Sequence, residues 1–170
     1  MAADDWMSAT GRIGDDLAQA MPLQLAKFGK TAVAFQGSPD RVDFVRTSLG
    51  INGDFRLDRV SLLIERRNKN DVAVTRLVQP FSAADFTTTP NFEGAAMLLK
   101  LQKPARFDYV DINGKKTEDW QPDMGLPTHV ELKLAAFDAE RLGLRYLIFP
   151  IVSGFSERKT DAAGGLPSPP

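Results

Sequence analysis

The chain has 170 residues, enough for one domain that buries roughly two-thirds of its unfolded surface. Lys and Arg total 21 against 22 Asp and Glu, so no excess positive field exists to collect nucleic-acid phosphates or an anionic membrane surface. Cysteine is absent, which removes disulfides, thiolate nucleophiles and cysteine-bound zinc.

A helix is predicted over residues 3–21. Trp6, Ile13, Leu17 and Met21 recur at helical spacing with Thr10 and Ala20 near the same stripe, while Asp5, Arg12, Asp15, Asp16 and Gln19 fall mostly elsewhere. Pro22 is expected to end the helix, because the residue before proline is pushed out of helical dihedrals. Gly11 and Gly14 each weaken it by about 1 kcal/mol relative to alanine, so docking must hold it. The acidic pairs Asp4/Asp5 and Asp15/Asp16 read as solvated helix surface, since adjacent helical positions do not face each other.

Residues 31–152 read as rich in short strands. Thr31 to Gln36 and Arg41 to Thr47 flank the turn signal Gly37-Ser38-Pro39-Asp40. Leu57 to Arg66 and Val72 to Val78 flank Arg67-Asn68-Lys69-Asn70-Asp71 in a second predicted hairpin. Pro80 to Phe92, rich in Thr, Ala and Pro, reads as a surface connection. Glu93 to Lys103 reads as a short helix or an extended crossing piece, since Met97, Leu98, Leu99 and Leu101 fit neither period cleanly. Phe107, Tyr109 and Ile112 line the next strand before Asn113-Gly114, the strongest short hairpin signal in the chain.

Trp120-Gln121-Pro122-Asp123-Met124-Gly125-Leu126-Pro127 is a stiff turn that excludes a regular helix or central strand. Trp120 is read as a core plug whose indole N–H finds a carbonyl. Val130, Leu132 and Leu134 then alternate with Glu131 and Lys133, the period of a strand with one buried and one wet face. Val130 to Ala136 and Leu142 to Ile151 are expected to pair through Asp138-Ala139-Glu140-Arg141. The pattern is α+β: an N-terminal helix packed on antiparallel sheets in a single domain over residues 1–155. Residues 156–170 carry almost no apolar side chains and are expected to be a disordered tail.

Chemistry-bearing residues are sparse. His129 is the single histidine, without a Ser-x-Gly elbow or paired base nearby, and reads as solvent-facing or locally hydrogen-bonded. Asp108, Asp111, Asn113, Glu118 and Asp119 supply oxygens around one hairpin, yet Lys115 and Lys116 oppose a divalent cation there. The turn Asn113-Gly114-Lys115-Lys116 lacks the spacing of a phosphate loop. The expectation is a non-enzyme with no catalytic residue, no cofactor and no metal.

The order W-x-P…L-P-x-x-V-x-L-x-L from Trp120 to Leu134 resembles the segment near the C-terminus of J-type minor pseudopilins of bacterial type II secretion, the general secretion pathway protein J family. Arg12-Ile13-Gly14-Asp15-Asp16-Leu17-Ala18-Gln19-Ala20 resembles that family's helix end. Val42 to Arg46 resembles its short early strand, Leu57-Asp58-Arg59-Val60 followed by Leu62-Leu63-Ile64 its strand entry, and Leu98-Leu99 through Arg106-Phe107-Asp108-Tyr109 its later helix or turn leading to an arginine-aromatic strand. The resemblance covers roughly Trp6 to Phe149, through order and spacing more than through any one motif.

The resemblance implies a pilin-like fold and a structural role at the tip of the pseudopilus, for export of folded proteins across the outer membrane. It implies a periplasmic domain held by an inner-membrane helix. No such helix precedes Trp6 here, so the sequence reads as a piece whose membrane half lies upstream. Partners would be the I-type and K-type minor pseudopilins, with the H type as a further candidate, and no nucleic acid. Trp6, Met7, Thr10, Ile13 and Leu17 are the residues expected to meet neighbouring helices, Trp and Met being favoured at such seams. Two other readings stand beside this one: a minor type IV pilin-like subunit, and a β-domain that binds a small molecule in an apolar pocket.

Overall fold

The computed structural model describes residues 3–26, 32–50, 52–68 and 71–152. The predicted tail at 156–170, the start of the first strand at Thr31 and part of the 67–71 turn lie outside these.

Helix α1 (Ala3–Ala18) is followed by strands β1 (Phe35–Ser38), β2 (Arg41–Leu49), β3 (Phe55–Arg66), β4 (Val72–Pro80) and β5 (Ala96–Leu101). These strands form one antiparallel sheet in sequential order. Strands β6 (Arg106–Val110), β7 (Lys116–Thr117), β8 (His129–Lys133) and β9 (Tyr146–Pro150), with helix α2 (Ala136–Leu142) before β9, complete the chain. The second sheet runs β7-β6-β8-β9 and is antiparallel as well. The α+β class and the helix packed on antiparallel sheets match the sequence reading.

One hydrophobic core joins the two sheets and α1. It takes Ile13 and Leu17 from the helix, Phe35, Phe44, Leu62 and Val74 from the first sheet, and Phe107, Tyr109, Val130 and Phe149 from the second. Alternation within strands selects these faces: Val42 and Phe44 turn inward, while Asp43 and Val45 turn to the other side of the same strand. The outer side carries a smaller cluster of Leu25, Ala32, Ala34, Val45 and Phe86.

The sheets are joined where β1 meets β6. Gly37 exchanges both backbone hydrogen bonds with Trp120, each 2.9 Å. The Tyr109 ring lies directly on Gly37, where an added Cβ would sit 2.1 Å from Cζ. The Tyr109 hydroxyl faces the carbonyls of Ser38 and Arg41 at 2.8 and 2.9 Å. Trp120 is 1% exposed and its indole N–H donates to the Gly125 carbonyl at 2.8 Å, the plug expected from the sequence.

Several boundaries differ from the sequence reading, each for a tertiary reason. Helix α1 stops at Ala18, before Met21, because Ala20 bridges to Arg46 and the Met21 N–H donates to the Val45 carbonyl. The first strand starts at Phe35, and its turn is reduced to Pro39-Asp40 because Gly37 and Ser38 pair with Val42 and Arg41. The 80–92 segment is not purely superficial: Phe86 is fully buried in the outer cluster. Within Glu93–Lys103 the residues Ala96–Leu101 form β5, and a register shift opposite Val74 and Thr75 leaves Leu98 as the extra residue, which breaks the sequence period.

The second sheet brings further corrections. Ile112 is 88% exposed beyond the end of β6. A three-residue 3-10 turn forms at Pro122–Met124 inside the stiff segment. The predicted Asp138–Arg141 turn belongs to α2, whose alanine-rich sequence favours helix and whose C-cap is Gly143 at φ 68°. Asp138 fixes this helix by accepting the backbone N–H groups of Gln102 and Lys103 at 3.1 and 2.9 Å. Glu131, expected on a wet face, is 8% exposed, since Lys116 and His129 close over it.

Candidate partner-binding surface

The surface follows from how α1 is seated. Its inner stripe is Trp6, Ala9, Ile13, Asp16 and Leu17, all buried, and the helix lies against β9 and β5. Fully burying Ile13 and Leu17 contributes on the order of 1.5–3 kcal/mol each, more than the two glycines cost. Gly14 faces β9, where an added Cβ would make an ordinary contact with Phe149 Cδ1 at 3.6 Å.

Asp16 completes the seat and overturns its reading as solvated surface. Both carboxylate oxygens are used: Arg76 donates through Nε at 2.5 Å and Nη2 at 2.9 Å, and Arg46 donates through Nη1 at 2.6 Å. The Asp16 side chain is 0% exposed, and Arg46 and Arg76 keep 17% and 13%. A carboxylate removed from water needs compensation of this kind. The ion pairs also fix the rotation of the helix, because only one angular setting aims Asp16 at β2 and β4. The sequence held a signal for this: Asp16 lies three residues after Ile13 and seven after Ala9, within the apolar stripe.

A second buried carboxylate stabilises the opposite side of the first sheet. Asp43 meets Arg41 Nε at 3.0 Å and Arg59 Nη2 at 3.1 Å, and accepts from Gln36 at 3.1 Å and from the Ser61 hydroxyl. Arg59 also donates to the carbonyls of Asp85 and Thr88 at 2.9 and 2.8 Å and stacks over Phe86. The network ties the 81–92 segment down and leaves the α1 side of the sheet to the helix.

Of the residues expected to meet partner helices, Trp6, Ile13 and Leu17 are taken up by the domain's own core, a correction that follows from the inward stripe. Thr10 is half-buried and turns its hydroxyl back to the Trp6 carbonyl at 2.9 Å. Met7 stays outside at 71% exposure. Around it Ser8, Gly11, Arg12 and Asp15 are exposed, and with Met97 and Leu98 of β5 they line a shallow groove of about 750 Å³. At Gly11 a Cβ would meet nothing within 4 Å. The outer face therefore combines an exposed methionine pair, small residues that let another backbone come close, and one charge of each sign.

The residues weighed for chemistry are dispersed. Asp111 accepts the backbone N–H groups of Asn113 and Lys115 at 2.8 Å each. Asp108 and Glu118 both pair with Arg106. His129 Nδ1 lies 3.1 Å from the Thr128 hydroxyl, itself 3.0 Å from the Val110 carbonyl. Among the described residues no group of three acidic or histidine side chains converges on a point that could hold a metal, and no helix is long and apolar enough to cross a membrane.

The fold and surface define an α+β domain with one helix clamped between sheet edges and its far side open. No protein-family profile, curated protein or solved structure matches the chain.

Proposed function

We propose that the chain is the folded domain of a J-type minor pseudopilin, a non-enzymatic subunit that assembles by laying α1 beside helices of I-type and K-type partners at the pseudopilus tip. Supporting this reading are the ordered sequence resemblance from Trp6 to Phe149 and an α+β arrangement of one N-terminal helix on antiparallel strands. The observation that carries it is the seating of α1: one face locked by Ile13, Leu17 and Asp16, the other left open along Met7, Ser8, Gly11 and Arg12. A helix held rigidly with one face free can stack without unfolding its own domain. In this reading the partner helix rests on Met7 and Gly11, and Arg12 and Asp15 set its register through charge complementarity.

Coexpression with I-type and K-type periplasmic domains tests the proposal. A complex that coelutes on size exclusion and is lost when Gly11 is replaced by Trp supports it. Separate elution of all three proteins at micromolar concentration, with or without millimolar calcium, overturns it.

A further inference from the structure

A cleft lies on the second sheet, between α2 and the outward face of β7, β8 and β9. It encloses about 630 Å³, within the range of small-molecule sites. Alternation along β8 and β9 places Glu131, Lys133 and Tyr146 on its floor, and α2 supplies Ala136, Ala139 and Glu140 as a wall.

Two properties of the cleft select a ligand. Leu144 and Tyr146 keep 39% and 53% exposure although both are large and largely apolar, and they lie beside the small side chains of α2, so an apolar body fits between helix and sheet. The charges are unequal. Lys116 is spent on the buried Glu131 carboxylate, while Lys133 and Arg145 line the cleft with no acidic side chain within 4 Å among the described residues. Among the described residues Glu140 is the remaining lining acid, and the lining cations outnumber the acids by three to two. A low-dielectric wall strengthens that surplus for any group entering beside it.

We propose that this cleft binds small organic carboxylates with an apolar body, the carboxylate meeting Lys133 and Arg145 and the body covering Leu144 and Tyr146. The Lys116–Glu131 pair closes the floor and keeps Glu131 from repelling the incoming anion. This site does not rest on the pseudopilin reading, and it stands or falls separately.

Decanoate, kept below its micellar concentration, is the probe. Calorimetry or amide chemical-shift titration of the whole chain is expected to give saturable one-to-one binding in the submillimolar range, with shifts confined to α2, β8 and β9. The double variant Lys133→Glu with Arg145→Glu, both at exposed positions, is expected to weaken binding at least about tenfold at unchanged melting temperature. Ala136→Trp, an exposed wall position, is expected to abolish it by filling the cleft. Decanol and decyltrimethylammonium are the controls. Binding of either control as tightly as decanoate, full retention of affinity in the charge-reversed variant, or shifts that map elsewhere would overturn the proposal.

Discussion

Where β1 meets Trp120 the chain closes on itself with aromatic rings and backbone hydrogen bonds; where α1 meets the same sheets, a carboxylate between two arginines fixes the contact. The first seam is steric. Tyr109, Phe35 and Trp120 pack with ring centroids 6.2 and 6.3 Å apart around a glycine that admits no side chain. The second seam is directional, since apolar packing of a helix on a sheet tolerates sliding and rotation whereas Asp16 accepts only one alignment with Arg46 and Arg76. Steric closure fixes how near the two sheets come. Directional fixing also sets the angle at which the far side of α1 faces outward.

Removing the anion from the helix seam gives the largest expected effect. Asp16→Ala leaves Arg46 and Arg76 facing each other with little water, and breaking a buried pair of this kind costs about 3–5 kcal/mol. Chemical denaturation should show the loss, and Asp16→Asn, which keeps the shape and one acceptor, should lose less. Equal stability of Asp16→Ala and the parent would mean that the seam is apolar in its energetics and that the ion pairs are incidental.

The steric seam should fail next. Gly37→Ala drives a methyl into a fully buried ring, and overpacking of this sort costs about 1–3 kcal/mol; the upper end is expected here because the Tyr109 hydroxyl is also held. Pairing Gly37→Ala with Tyr109→Ala should recover part of the loss in a double-mutant cycle, a coupling expected only if the two residues collide.

Alkaline pH separates the seams without a substitution in either. Burial, and then the charges of Asp43, Asp40 and Asp119, hold the Tyr109 hydroxyl well above the usual tyrosine range. Below about pH 10 the hydroxyl is protonated in folded and unfolded chains alike, and stability is unaffected. Above that pH the unfolded chain releases the proton while the folded chain keeps it, so stability falls as pH rises. In a Tyr146→Phe background, tyrosinate absorbance should appear only together with cooperative unfolding. Ionisation of Tyr109 in a chain still folded by circular dichroism would contradict the closed seam.

The smallest effect belongs to the open face of α1. Gly11→Ala has room for its methyl and gains helix propensity, so the isolated domain should melt slightly higher, by up to about 1 kcal/mol. The same methyl should weaken a partner helix that approaches Gly11 closely. Opposite signs for domain stability and complex affinity would sharpen the contrast between the two faces; a gain in both would mean that no helix packs there.

Much of this architecture is legible before the coordinates. Helical spacing exposes α1, period-two alternation exposes β2 and β8, and Asn113-Gly114 marks its hairpin because Gly114 takes a φ of 78° there. The helix α2 was hidden because Ala136–Leu142 is short enough to pass for a turn. Phe86 was hidden because no period surrounds it. For the outer surface, Met7 could be found, but Trp6, Ile13 and Leu17 could not be assigned to a partner or to the chain's own core from spacing alone. An apolar stripe says that something is covered, and nothing about which molecule covers it.

Local chemistry, then, settles what each segment can be: proline and glycine set the turns, apolar period sets the faces, and the absence of cysteine removes a class of reactions. Only the folded chain decides which faces meet. Arg46 and Arg76 are separated by thirty positions and lie two strands apart in the first sheet, and Asp16 finds both because docking α1 brings one helix position to two strands at once. Such long-range pairing depends on the register of every strand between, which no short stretch of sequence carries by itself.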